Sequence, residues 1–210
     1  MLKKFNIWHN ILGVLLMTLY LTGIFLFLAS HSANIFFCAK KAQLIMRFGA
    51  VVWKIFISSI AILGLLLIIN NYAIAKENSI LLWPQSIYGT YFAIVLNFFA
   101  LWFVISAYIP RNILKIKLKH PMVLGIKLWA LAHLITNGDL SSVLLFGSAL
   151  FWAVLSFKKA RLKTNLSKDQ KTAKHSLNAS FSAFFLGLMV WLYMIRVGHK
   201  DLIGIGLLYS

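Results

Sequence analysis

Apolar residues run in long blocks separated by short polar and basic intervals, and this pattern sets the reading of the whole chain. The blocks extend roughly from Ile11 to Phe37, Phe48 to Ile69, Ile87 to Ile109, Pro121 to Ile135, Leu140 to Phe157 and Phe181 to Val197. Most approach the roughly 20 residues a helix needs to cross a hydrocarbon core, where lipid offers no hydrogen-bond partner and a helix satisfies its own backbone. The pattern predicts six helices. The first follows Lys3-Lys4 and is read as a retained helix, because its apolar run is far longer than the about 7 to 15 residues of a secretory signal. The fourth is short for a span and predicts a tight hairpin with the fifth around Asn137-Gly138-Asp139. Its ends are marked: Pro121 has no amide donor to lose at the first helical position, and Asn137-Gly138 stops the helix.

Composition carries this to a fold class. With 61% hydrophobic and 12% charged residues, the chain has more apolar surface than a soluble domain of 210 residues can hide. The expected fold is all-α, a polytopic membrane helix bundle of about six transmembrane helices forming a single domain over residues 1–210, with no internal repeat and with Lys158 to Ser180 as a basic loop. The formal charge of +17 sits in short runs between apolar blocks, where it meets anionic headgroups and sets topology, so nucleic acid is not an expected partner. The connections after the first, third and fifth segments hold 14 of the Lys and Arg residues, against 5 on the other side (Lys3, Lys4, Lys76, Arg196, Lys200). This bias predicts both termini outside the cytoplasm, with Lys3-Lys4 pulling the other way. Cys38 is the sole cysteine, which excludes an internal disulfide, and without a Cys-x-x-Cys-His motif any haem is non-covalent, of b type.

The residues able to do chemistry are few. All four acidic residues, Glu77, Asp139, Asp169 and Asp201, lie in or beside loops, which argues against carboxylate-bridged di-iron sites and carboxylate proton relays. His31 lies near the end of the first apolar block, and His133 lies in the fourth with Trp129 and Asn137 one turn to either side. An imidazole in an apolar bundle needs a companion, either a metal or haem iron or a hydrogen-bonding carbonyl. His120 and His133 stand 13 residues apart, about 20 Å of helix rise, and cannot ligate one iron together. A six-coordinate haem needs one of them plus a histidine from another helix, for which His31 is the choice. If the first helix descends to the basic side, His31 ends level with His120; a kink at Gly23, a tilted fourth helix or a first helix reaching Phe37 brings it towards His133 instead. His120, between Lys119 and Pro121, otherwise reads as an interfacial cap. Lys54 and Lys127 read either as snorkelling cations or as counter-charges to a haem propionate, as do Arg111 and Lys119. The tryptophans and Tyr108 read as interface anchors or packing. His9 and His199 lie at helix margins, and His175 in the basic loop.

Several stretches together resemble the NnrU family of bacterial membrane proteins, which is homologous to the plant 15-cis-zeta-carotene isomerase. They are His31-Ser32, Trp53-Lys54, Trp83 with Pro84, Ala107-Tyr108-Ile109-Pro110, the block from His120 to Asp139, Leu144 to Gly147, and the tail with His199 and Leu202-Ile203-Gly204. The resemblance covers about Ile24 to Lys159 and the last helix. It implies a b-type haem in the membrane bundle with His31 and His133 as metal ligands, and with His120, Lys127 and Asn137 among the residues set against the cofactor. It implies a redox-linked role associated with nitrite or nitric oxide reduction, or isomerase-like chemistry, on an isoprenoid or a small gaseous ligand, in the bacterial inner membrane and with a respiratory-chain partner. The plant isomerase carries a functional cysteine three residues before its second histidine. This chain has Ala130 there, so ligand switching between cysteine and histidine is not expected. The alternative reading is an accessory, assembly or transport factor without haem, in which the histidines are structural.

Overall fold

The computed structural model describes residues 2–166 and 175–204, with side chains from Leu12 onward except those of 34–36, 38–39 and 163–166. It is helical with no strand among the described residues. The helices are α1 (Leu2–Phe36), α2 (Cys38–Phe48), α3 (Ala50–Glu77), α4 (Ile87–Ser106), α5 (Ile113–Leu118), α6 (Pro121–Thr136), α7 (Leu140–Leu166) and α8 (Leu177–Tyr193), then a π-helix (Met194–Gly198) and α9 (His199–Ile203). Five helical stretches are long and apolar enough to cross a membrane: Leu12–Ala33, Ala50–Glu77, Ile87–Ser106, Leu140–Leu162 and Leu177–Ile203. The shorter apolar α6 makes six, so the expected polytopic helical bundle is the fold found. Two compact units share the chain, the first reaching to Ile80 and taking in Leu202–Gly204, the second comprising Leu81–Asp201.

In the first unit α1 packs on α3. Both glycines at the crossing are required by proximity: a Cβ on Gly23 would lie 2.8 Å from Leu67 Cβ, and one on Gly64 would lie 2.6 Å from the Phe27 nitrogen. Lipid gives apolar helices no hydrophobic reason to associate, so close backbone approach through small residues supplies the attraction as dispersion. α1 runs through Gly23 as unbroken helix. α3 continues past the expected end at Ile69 to Glu77, because Asn70 and Asn71 do not break it. Their amides donate to the Leu66 and Leu67 carbonyls one turn back, at 2.7 and 2.8 Å, so the polar groups are spent inside the helix. The interval expected as a basic connection after the first helix is instead the amphipathic α2, with Arg47 over the Phe48 ring at 5.1 Å. It turns into α3 at Gly49, whose φ of 87° favours glycine.

In the second unit α4 packs on both α6 and α8, and α6 on α7. Gly125 of α6 sits against the Ala100 carbonyl and Val104 of α4, and Gly187 of α8 against Trp102. Trp191 donates its indole N–H to the Ile94 carbonyl at 3.0 Å, fastening α8 to α4. α4 ends at Ser106, short of the expected Ile109, because Pro110 and the Asn112 side chain take over: Asn112 donates to the Ser106 and Ile109 carbonyls and accepts from the Lys115 amide. The expected loop from Lys158 to Ser180 is also corrected, since α7 runs on to Leu166 and α8 begins at Leu177; Asp169 lies outside the described residues.

Gly64→Ala, which drives a Cβ into the backbone of α1, is expected to destabilise the protein by about 1–3 kcal/mol. Gly13→Ala, where nothing lies within 4 Å, is expected to leave stability unchanged or raise it. Helical melting in detergent followed by circular dichroism measures both, and equal midpoints for the two variants contradict the tight crossing.

Candidate functional site

The site begins at the corner joining α6 to α7. The Asn137 amide turns back to the His133 carbonyl at 3.0 Å and the Thr136 hydroxyl at 3.1 Å, closing the end of α6. Gly138 carries the corner through a place where a side chain would run into the Trp83 backbone and ring, and its carbonyl accepts from the amides of Leu82 and Trp83 at 2.7 and 3.2 Å. Asp139 then caps α7: Oδ1 accepts from the Ser142 amide at 2.8 Å and Oδ2 from the Ser142 hydroxyl at 2.7 Å. Asp139, Ser141 and Ser142 are buried, so the corner holds its polar groups in a fixed geometry.

That corner sets α7 against the end of α6 and brings Phe146 onto His133. The buried Phe146 ring lies over the imidazole with centroids 4.4 Å apart and planes at 27°, and the Trp129 ring stands 5.1 Å away. His133 Nδ1 is 2.8 Å from the Trp129 carbonyl oxygen. A carbonyl only accepts, so in the neutral ring Nδ1 carries the proton and Nε2 presents its lone pair. Metal-ligating histidines are held in this way, by a carbonyl on the other ring nitrogen.

A second imidazole lies nearby. The His199 ring centroid lies 6.4 Å from that of His133, with the planes 19° from parallel. α6 does not pack on the π-helix or on α9 among the described residues, so the two side chains reach across an interval between separated backbones. The π-helix is what aims His199. Its wider turn rotates the following residue roughly a quarter-turn from its α-helical position, and the buried Gly198 lets Tyr193 and Met194 lie against the segment.

The other residues singled out from sequence fall as follows. His31, exposed on α1 in the first unit, has Nδ1 2.8 Å from the Phe27 carbonyl and its ring 4.4 Å from that of Phe27, the same four-residue anchoring seen at His133. His120 occupies the expected cap position of α6, without a side-chain capping hydrogen bond, and its ring meets Phe157 edge-on at 6.4 Å. Lys127 holds its ammonium 4.7 Å from the centroid of the same ring, and Arg161 its guanidinium at 5.8 Å, so His120, Lys127 and Arg161 gather on Phe157. Lys54 is exposed on α3. Two members of the site escaped sequence reasoning. Asp139 reads as a residue beside a loop, although Asp-x-x-Ser before an apolar run signals a helix cap. His199 reads as a residue at a helix margin, because no hydrophobic periodicity announces a π-turn.

The donor set can be tested against possible ions. Among the described residues no three His, Cys, Asp or Glu side chains form a metal-binding group. Two imidazoles by themselves fall short of the three or four protein ligands that a bare zinc ion takes. The model of the NnrU protein family matches residues 19–207, which takes in α6, the corner, Phe146 and His199. No curated protein and no solved structure matches the chain.

Asp139→Ala removes both bonds to Ser142 and is expected to cost about 1–2 kcal/mol. Asp139→Asn, which keeps one acceptor, is expected to fall between it and the wild type in thermal midpoint. A midpoint unchanged in Asp139→Ala contradicts the structural role of this cap.

Proposed function

The chain belongs to the NnrU family, and we propose that it is a membrane haem protein in which His133 would hold the iron of a b-type haem with a redox-linked role. The observation that carries the reading is the state of the His133 ring, anchored at Nδ1 by the Trp129 carbonyl and covered by Phe146. When bound, a b-type haem supplies one-electron redox chemistry and a site for exchangeable ligands.

The protein's own part is to set the ligand and its surroundings. The Trp129 carbonyl fixes the tautomer and strengthens Nε2 as a donor, and the Phe146 ring restricts imidazole rotation and keeps water from one face. The Asn137 amide holds the His133 carbonyl, so it positions the ligand from behind. Lys127 stands six positions earlier on α6, about 9 Å along the axis, and offers a cation to a haem carboxylate, with His120 beside it on Phe157. Ala130, fully buried, leaves no thiol to exchange with His133, which favours redox or small-ligand chemistry over carotene isomerisation. The setting we propose is the bacterial inner membrane, beside enzymes that reduce nitrite or nitric oxide.

Purification in mild detergent after expression with haem supply tests this. The expected result is a Soret band and a pyridine haemochrome of b type in the wild type, both largely lost in His133→Ala while far-ultraviolet circular dichroism is retained. A folded, colourless wild type overturns the reading and leaves an accessory factor without haem.

A further inference from the structure

α2 takes no part in the haem site proposed above. It joins two helices that are each long and apolar enough to span, at Leu12–Ala33 and Ala50–Glu77, and its 11 residues reach only roughly 16 Å, too short to cross a bilayer. It packs on both α1 and α3, so it lies at headgroup depth at one end of their hairpin. Lys40, Gln43 and Arg47, all exposed, stand at i, i+3 and i+7 and form its polar face, while Leu44 and Phe48 are one turn apart on the neighbouring face. A basic amphipathic helix of this kind rests in the interface and draws anionic lipid to its cations.

Two observations make this corner more than a surface anchor. The positive φ of Gly49 turns the chain between α2 and α3, and the two helices together line a cleft of about 310 Å³ with Leu44, Phe48, Val52, Trp53 and Phe56. That volume stands at the lower end of the roughly 300–1,000 Å³ of ligand sites, and a lining of aliphatic and aromatic side chains suits hydrocarbon. The second observation is charge at the edge of the cleft. The Arg47 guanidinium lies 5.1 Å from the centroid of the Phe48 ring, and Lys40, Lys41 and Lys54 belong to the same stretch. Glu77 is the one acidic residue in the sequence of this unit, at the far end of α3 and roughly 35 Å along the helix from Lys54.

We propose that this corner binds one anionic phospholipid, with a length of acyl chain in the cleft and the phosphate on Arg47. The guanidinium fork matches two phosphate oxygens, and Lys40 and Lys54 add to the positive field. A zwitterionic lipid brings its own ammonium to the same place and is disfavoured. The site stands apart from the haem reading, since all its residues lie in the first unit and His133 in the second.

Native mass spectrometry of the full chain in mild detergent tests this, by counting dioleoyl phosphatidylglycerol and dioleoyl phosphatidylcholine retained from an equimolar addition. The wild type is expected to keep one phosphatidylglycerol in preference to phosphatidylcholine. Lys40→Gln with Arg47→Gln, both at exposed positions, is expected to weaken phosphatidylglycerol retention by roughly tenfold or more. Lys117→Gln with Lys158→Gln removes the same charge from exposed positions of the second unit and is expected to change nothing. Val52→Trp, which fills the cleft from an exposed position without altering charge, is expected to lower retention as well, with far-ultraviolet circular dichroism unchanged. Equal retention of the two lipids by the wild type overturns the proposal. So does an equal loss in the two charge variants, which reduces the effect to net charge, or full retention by Val52→Trp, which leaves attraction without a seat for the chain.

Discussion

A polar group surrounded by apolar side chains or lipid must find its hydrogen-bond partner within the protein or cost several kilocalories per mole, and the three-residue corner between α6 and α7 meets that demand with its own backbone and side chains. Asn137, Gly138 and Asp139 place an amide, a carbonyl and a carboxylate side by side. Each is used: the amide on the His133 carbonyl, the Gly138 carbonyl by Leu82 and Trp83, the carboxylate twice by Ser142. The orientation of His133 follows from these bonds. Its own carbonyl is held by Asn137, its Nδ1 by Trp129 one turn back, and its face by Phe146, which α7 delivers because Asp139 starts that helix at a fixed point. An imidazole so constrained has little rotational freedom left.

Apolar periodicity made most of the helices legible. α4 begins at the expected Ile87 and α6 spans Pro121–Thr136, one residue beyond the expected end, because Pro121 and Asn137-Gly138 are local signals that act without tertiary help. The hairpin was legible for the same reason. What periodicity misses is polarity satisfied within a helix, as at Asn70 and Asn71, and amphipathic structure in a basic interval, as in α2. Both look like a break in the apolar run. Candidate chemistry was half legible. His133 is marked by its apolar surroundings, but its neighbour on α9 depends on how an intervening turn is wound, and residue order holds no sign of that winding.

The two units use one means of association in different forms. In the first, Gly23 and Gly64 bring two backbones into contact. In the second, glycine on α6 and on α8 meets bulky neighbours on α4, with Phe98, Trp102, Phe184 and Trp191 forming the aromatic layer between α4 and α8. α4 is the common partner, packing on α6 and on α8 alike.

A π-turn needs a reason to persist. Its hydrogen bonds are poorer than those of an α-helix, and a continued α-helix through Met194–Gly198 would satisfy the backbone at least as well. That continuation would turn position 199 away by roughly a quarter of the helix circumference, and α8 itself cannot rotate to compensate, because the Trp191 indole is bonded to the Ile94 carbonyl and Gly187 is pressed on Trp102. With the upstream helix fixed, the wider turn sets where the His199 imidazole lies, its ring centroid 6.4 Å from that of His133. Wider turns of this kind inside α-helices recur at functional sites, and this one ends at the residue before His199.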